Sequence, residues 1–260
     1  MKRQSTRTRV SFEVGINLLG GHAIFITGEE IGIGKYESPE NIARVLSRYV
    51  DAIIYRPIDS SNLYKLADYS TVPVINALDR EEHPCQIIAD LMTIKEKKGQ
   101  LEDLTLAFIG DGDDNLNHSY LLGCALTGIN IIVISPKKYW PNKYYFKTAK
   151  DIVKKKKNQM VTITEDINAV ASADVIVTDT YVSFWFEHER QQRLMDLYNY
   201  KVTKEVIKKA KPNALFMHCM PIYYGEEVTK DVVFGKNSVV IDEAKNRLWA
   251  QMALLIRLLG

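Results

Sequence analysis

The sequence is short of cysteine: Cys85, Cys124 and Cys219 are the only three in 260 residues, far apart and with no Cys-x-x-Cys pair. That spacing argues against a disulfide framework and a thiolate-bound structural metal, and it suits a reducing compartment, so a cytoplasmic protein is expected. Long apolar runs are missing too. No stretch approaches the roughly 20 residues that cross a bilayer, and the opening Met1-Lys2-Arg3-Gln4-Ser5 contains no apolar core of a leader. Charge of one sign is not in excess either, since 34 Lys and Arg against 32 Asp and Glu leave a net +2. Nucleic-acid surfaces carry a basic excess, so neither nucleic acid nor membrane is expected as a partner, and a small molecule met by local charge is.

What is present is enough apolar content, 46%, for a sizeable core, in a chain longer than one typical domain. Strand-like and helix-like stretches alternate along it. Residues 22–27 (HAIFIT) read as a buried strand and residues 28–34 as a glycine-bearing loop. Ser38-Pro39 marks a helix start, residues 51–55 and 72–76 read as strands, and Leu63 and Leu66 mark a helix between them. A helix follows His83 and runs to Gly99, and the charged residues 95–102 form a candidate domain boundary. Beyond it, residues 104–109, 129–134, 174–177 and 214–217 read as strands, 119–126 as a helix after a loop at 110–118, and 246–259 as a final helix. This order is that of an α/β protein with parallel sheets.

Several polar clusters sit where strands hand over to helices, the place where open α/β sheets bind ligands. Ser5-Thr6-Arg7-Thr8-Arg9 opens a helix that continues through Val10, Phe12, Val14, Ile16 and Leu19. It reads either as a cap with solvated arginines or as a site for a tetrahedral dianion, where helix dipole, hydroxyls and guanidinium groups converge. His83 and Gln86 share one side of a helix start, as cap and surface residues or as groups facing an anion. Gly110-Asp111-Gly112-Asp113-Asp114-Asn115 follows a strand, which keeps a nucleotide-binding Rossmann-like reading open, although the third glycine is missing and three aspartates would oppose a pyrophosphate. Asp179 and Cys219 end two strands. A cysteine there is either core or cleft-facing, and beside a carboxylate it is poorly placed to ionise, which argues against a covalent nucleophile. The lysines at 154–157 read as a solvated helix end.

Taken together, STRTR at Ser5, HPCQ at His83, FMHCMP at Phe216 and EAKNR at Glu243 resemble, in order and over nearly the whole chain, the motifs of the aspartate/ornithine transcarbamylase family. The resemblance is closest to ornithine carbamoyltransferases. It implies two doubly wound parallel-sheet domains, a carbamoyl-phosphate-binding one over residues 1–97 and an amino-acid-binding one over 98–243, with the C-terminal helix, 244–260, returning to the first. Carbamoyl phosphate would be held by Ser5, Thr6, Arg7, Thr8, Arg56, His83, Gln86, Cys219 and Arg247, with Arg56, His83, Cys219 and Arg247 acting in catalysis. Ornithine would meet Asn115, Asp179, Ser183, Phe184 and Cys219. No metal or other cofactor is implied, and the assembly would be a homotrimer or a multiple of trimers.

The sequence departs from the pattern in places. Phe184-Trp185 stands where ornithine enzymes carry Met-Gly, Asp114 replaces the first of an asparagine pair, and HCMPIYYGEEVT is similar to putrescine transcarbamylase, which keeps that enzyme as an alternative. A glutamine that neighbouring subunits lend to the phosphate site falls at Gly32. Family members also carry a long segment ahead of STRTR, so the first domain is expected to be short of a strand, and an impaired transcarbamylase-like protein is a further alternative.

Overall fold

A computed structural model describes residues 5–156 and 159–260, so Lys157 of the lysine run lies outside the described residues. The chain forms two compact units, Met1–Cys85 with Arg247–Gly260, and Gln86–Asn246.

The first unit opens with α1 (Thr6–Leu18), whose N-cap Ser5 accepts a hydrogen bond from the Thr8 backbone. Its buried residues are Thr8, Phe12 and Gly15, and the apolar pair Val10 and Val14 faces outward. Residues 22–27 form no strand among the described residues, and Ile24 is 72% exposed. Apolar composition alone therefore misled: a strand needs a ladder partner as well as β-branched residues. The glycine-bearing loop after it contains a helical turn, α2 (Gly28–Ile31), set by a Thr27/Glu30 capping box and ended by Gly32 in the left-handed conformation, φ +57°. A Cβ on Gly32 would lie 2.3 Å from Tyr36 Cδ2. Gly32→Gln is thus expected to lower unfolding free energy by about 1–2 kcal/mol from the backbone alone, read as a lower urea midpoint at unchanged m-value; equal midpoints would show that the turn tolerates a side chain.

Next come α3 (Pro39–Leu46), capped by Ser38 with proline in its first turn, β1 (Ile53–Tyr55), α4 (Ser60–Tyr69) and β2 (Val74–Asn76). The two strands are parallel, Ile53 opposite Val74. Then α5 (Pro84–Lys98) starts on its proline and is followed by Gly99 at φ +78°.

The second unit contains β3 (Thr105–Ile109), α6 (Asn115–Thr127), β4 (Asn130–Ile134), α7 (Lys143–Val153), β5 (Val161–Thr164), β6 (Val175–Val177), α8 (Arg190–Asp196), α9 (Lys204–Lys209), β7 (Leu215–Met217) and α10 (Lys230–Val233). Five parallel strands lie in the order β5-β4-β3-β6-β7, a doubly wound arrangement whose direction reverses at β3 and β6. Strand alternation sends Leu106 and Phe108 into the core with α6 and α7, and Ala107 and Ile109 into the core that contains Val206 and Val232. Helix α6 begins earlier than the pattern suggested, because Asp114 caps it by accepting from Leu116 N; Asn115 therefore sits in the first turn, not in a loop. Lys154, Lys155 and Lys156 follow α7 and are exposed, as a solvated helix end, and the Lys156 ammonium also donates to the carbonyls of Ala125 and Leu126 at the end of α6.

The last helix, α11 (Val240–Leu259), also starts before its expected residue 246. Its residues from Arg247 on belong to the first unit, where Leu254 and Leu255 pack with Phe12, Ile16 and Ile75. Gly15 makes this packing close: a Cβ there would meet Met252 Cγ at 3.1 Å and Leu248 Cδ1 at 3.4 Å. Among the described residues no helix is long and apolar enough to cross a membrane.

Candidate active site

In the first unit the polar groups gather on Thr8. Its hydroxyl donates to Ser5 Oγ (3.1 Å) and accepts from Arg56 Nη1 (3.2 Å) and Arg247 Nη2 (3.5 Å). Helix start, end of β1 and α11 thus place two guanidinium groups over a helix N-terminus. Arg247 is buried, and Gln251, one turn on, can turn its amide oxygen to accept from Arg247 Nη2 (3.1 Å) while its nitrogen donates to Ser11 Oγ (2.7 Å). Arg7 is half-buried and Thr6 exposed. Arg9 points away, paired with Glu13 at 2.8 Å and lying 3.9 Å over the Phe25 ring.

His83 is buried in the same unit, and burial together with the charges of Arg247, Arg56 and Arg7 holds its pKa well below the ordinary value. The imidazole is neutral at physiological pH, a donor without a charge of its own. Because the unfolded chain takes up the proton first, the stability this group contributes is complete above about pH 6.5 and is lost as pH falls, by up to about 1.4 kcal/mol per pH unit. His83→Gln is expected to flatten that slope in urea unfolding followed between about pH 7.5 and about pH 5; an unchanged slope would place the titration elsewhere. Two residues near this cluster have backbones that side chains seldom adopt or contacts that fix a loop: Leu78 at φ +138°, whose N–H donates to Asn76 Oδ1, and Cys85, whose thiol donates to Asn76 O. Burial pushes the Cys85 thiol up to about 11, so it stays protonated.

In the second unit the strand ends at the reversal point carry the remaining groups. Asp179 follows β6, and Cys219 follows β7 and donates to Asp179 Oδ2 at 3.3 Å. Burial, then the Asp179 charge, raises the thiol well above its ordinary value, so Cys219 is a donor here and not a thiolate. Burial also raises Asp179, offset by His218 and by the Thr180 N–H. His218 Nδ1 accepts from Met220 N (2.9 Å) and its Nε2 faces Glu227 Oε1 (3.3 Å), which holds Met220 in a left-handed backbone, φ +61°. Donor atoms of Asp179, His218 and Cys219 lie within 4.8 Å of one another. Both ring nitrogens of His218 are committed, however, so the trio does not fit a metal ion.

Asn115 is buried beside Asp114, and the Asp179 charge is among the causes that push Asp114 well up after burial. This arrangement does not suit a dinucleotide, because the N-terminus of α6 already meets the Asp114 carboxylate. The glycines of that loop serve packing instead: a Cβ on Gly112 would lie 2.6 Å from Tyr139 O. Ser183 and Phe184 lie further along the loop after β6, beyond the buried Tyr181 and Val182, with Phe184 42% exposed and its ring 3.7 Å from that of Trp185. The loop is tied down by Arg193, which pairs with buried Asp111 at 2.5 Å and stacks 3.8 Å over Phe186.

Gln86 Nε2 donates to Asp90 Oδ1 and Glu243 Oε1, and Asp90 Oδ2 accepts from Tyr120. Asp90, Tyr120, Glu227 and Arg193 were not singled out in the sequence. Only Asp90 gave a signal, its spacing of four from Gln86 on one helix.

Residues 1–96 match the family described as aspartate/ornithine carbamoyltransferase, carbamoyl-P binding domain, and residues 102–258 match its Asp/Orn binding domain. The chain is 46% identical over 260 residues to an ornithine carbamoyltransferase of Oceanobacillus iheyensis, covering all of this chain and 80% of that one. Identity to the one of Archaeoglobus fulgidus is 45% over 256 residues, 98% of this chain and 82% of that one. The solved ornithine carbamoyltransferase from Pyrococcus furiosus superposes with a TM-score of 0.95 at 42% identity, covering 99% of this chain and 82% of that one.

Proposed function

Because the chain belongs to the aspartate/ornithine carbamoyltransferase family, we propose that it transfers the carbamoyl group of carbamoyl phosphate to the side-chain amine of ornithine, giving citrulline and phosphate. The observation that carries the reading is the neutral, buried His83 among Arg7, Arg56 and Arg247, with Thr8 bonded to two of these arginines. Residues 1–97 would bind carbamoyl phosphate, 98–243 the amino acid, and 244–260 return Arg247 to the first part.

Ser5, Thr6, Arg7 and Thr8 would hold the phosphate through the helix start and guanidinium charge, relieving the charge that grows as it leaves. Arg56, His83, Thr8 and Arg247 would donate to the carbonyl oxygen of the tetrahedral intermediate, where a neutral imidazole donates without protonating it. Gln86 would take the carbamoyl nitrogen through its amide oxygen. Asp179 and Cys219 would orient the amine, with Asn115, Ser183 and Phe184 at the amino-acid end. The amine nitrogen forms its bond to the carbonyl carbon, the carbon–oxygen bond to phosphate breaks, and the departing phosphate takes the proton released by the amine. No step asks for a metal.

The same reading places the enzyme in arginine metabolism, in the cytoplasm, and in a homotrimer or a multiple of it; mass photometry checks the last. One observation favours a second acceptor, putrescine: the rings of Phe184 and Trp185 meet, tilted 31° with centroids 3.7 Å apart, where ornithine enzymes carry Met-Gly. Product assays with carbamoyl phosphate and, in turn, ornithine, putrescine and aspartate decide. Citrulline as main product is expected, and carbamoylputrescine in its place would transfer the assignment to the diamine.

A further inference from the structure

Gln86 and Asp90 stand one turn apart on α5, and the amide nitrogen of Gln86 donates to Asp90 Oδ1 at 2.7 Å and to Glu243 Oε1 at 3.1 Å. Glu243 spends its other oxygen on the backbone N–H of His218, at 2.8 Å. Asp90 spends its own on the hydroxyl of Tyr120, at 2.7 Å. Gln86, Asp90, Tyr120 and Glu243 are each no more than 1% exposed. Two carboxyl groups that grip the two protons of one nitrogen are close, and a hydrogen bond joins them. Buried carboxylates at such range do not both ionise, so the pair holds one proton in common. Burial first, and then the neighbouring Asp90 charge, push Glu243 well above the ordinary carboxylate range.

The arrangement fixes a choice that a glutamine leaves open elsewhere. Turning the Gln86 amide over would set its oxygen against two acceptors and lose both hydrogen bonds in a buried place. The nitrogen therefore faces the acids, and in the carbamoyl-transfer reading the oxygen is the end that takes the carbamoyl NH2. One residue also reaches the segment that leads to Cys219. Resting on the carbamoyl-transfer reading, we propose that Glu243 is a positioning residue of the reaction: with Asp90 it sets the Gln86 amide for the carbamoyl nitrogen, and with its second oxygen it fixes the His218 backbone just ahead of Cys219.

In this role Glu243 acts through its length and hydrogen bonds and not through negative charge. Glutamine keeps the length and the neutrality, with an NH2 to donate to Asp90 and an oxygen to accept from His218 N, but that NH2 cannot accept from Gln86 Nε2 as Glu243 Oε1 does, so the Gln86 amide keeps only its Asp90 bond. Aspartate keeps the charge option and cannot reach both partners. The test compares E243Q, E243D and E243A by calorimetric affinity for carbamoyl phosphate and by kcat and KM, all per folded molecule from circular dichroism. E243D and E243A are expected to lose about 30-fold in carbamoyl phosphate affinity and in kcat/KM, and E243Q, which keeps the Asp90 and His218 contacts and loses the one to Gln86, to recover part of that loss. Should E243A fail to fold, the ranking of E243Q above E243D carries the result. E243Q as weak as E243D would overturn the proposal, as would E243D with parental affinity and KM. If the parent chain makes no citrulline from ornithine, the transfer reading fails by itself, and the affinity ranking still decides the part played by Glu243.

Discussion

Replacing Arg56 with alanine is expected to weaken carbamoyl phosphate binding by about 30- to 150-fold and to leave the protein folded, since a charge-assisted hydrogen bond is worth about 2–3 kcal/mol and each 1.4 kcal/mol is about tenfold. Arg56 follows the last residue of β1, is only half-buried, and reaches the hydroxyl of Thr8 at 3.2 Å. Its removal leaves the α1 cap in place, because Ser5 still accepts from Thr8 N. It also takes away one of the charges that hold His83 down, so the His83 titration should move upward in the variant. Calorimetry with phosphonoacetate and urea unfolding measure the two halves of the statement separately. An Arg56→Ala protein that unfolds while keeping its affinity per folded molecule would remove Arg56 from the anion site.

Features written in local chemistry were legible in the sequence. Ser38-Pro39 announces α3 because cap and first-turn proline act within one turn, and residues 105–109 announce β3 because a central parallel strand buries both faces. The capping box Thr27-x-x-Glu30 was equally local and marked α2, although three glycines drew attention to a loop instead. Residues 22–27 failed for a different reason: apolar content reports a wish for burial, whereas strand identity depends on a partner elsewhere in the chain. β5, the edge strand Val161–Thr164, escaped because it is short and partly exposed, so its pattern lacks the continuous apolar run of β3.

The grouping at Thr8 lies beyond what spacing can show. Arg56 and Arg247 reach it across 48 and 239 residues of chain, and only the fold sets those distances. Motif order supplied the candidates, while the close packing of α11 on Gly15 shows how one of them arrives. The buried acids are the reverse case. Asp90, Glu227 and Glu243 read as ordinary charged residues in the sequence, yet each is buried and hydrogen-bonded to a motif residue, Gln86 or His218. Burying such groups costs energy unless every polar atom around them is matched, which makes their partners informative about what the site must hold still.

The largest effect is expected for Asp179→Asn, which should lower citrulline formation by about 150- to 5,000-fold, the equivalent of about 3–5 kcal/mol for one partner lost from a buried charge pair. Asp179 lies two residues past β6 at the reversal point of the sheet and already accepts from the Cys219 thiol and the Thr180 N–H. These donors hold the carboxylate in place, so an acceptor's ammonium would meet a preset charge there. Asparagine keeps the shape and gives up the charge. Because burial raises the Asp179 pKa, the carboxylate is lost as pH falls through that raised value, and the acid limb of the parent rate profile should lie above the ordinary carboxylate range and vanish in the variant. Acceptor choice then separates by the other end of the molecule. Ornithine has a zwitterionic end for Asn115 and Ser183, whereas putrescine offers only a second amine and would leave Asn115 without a task. Asn115→Ala should therefore depress citrulline formation and leave carbamoylputrescine formation almost untouched, while Asp179→Asn depresses both. Ornithine turnover unaffected by Asn115→Ala would break the link between this residue and the amino-acid end, and the tilted ring pair of Phe184 and Trp185 would then mark a pocket shaped for the diamine.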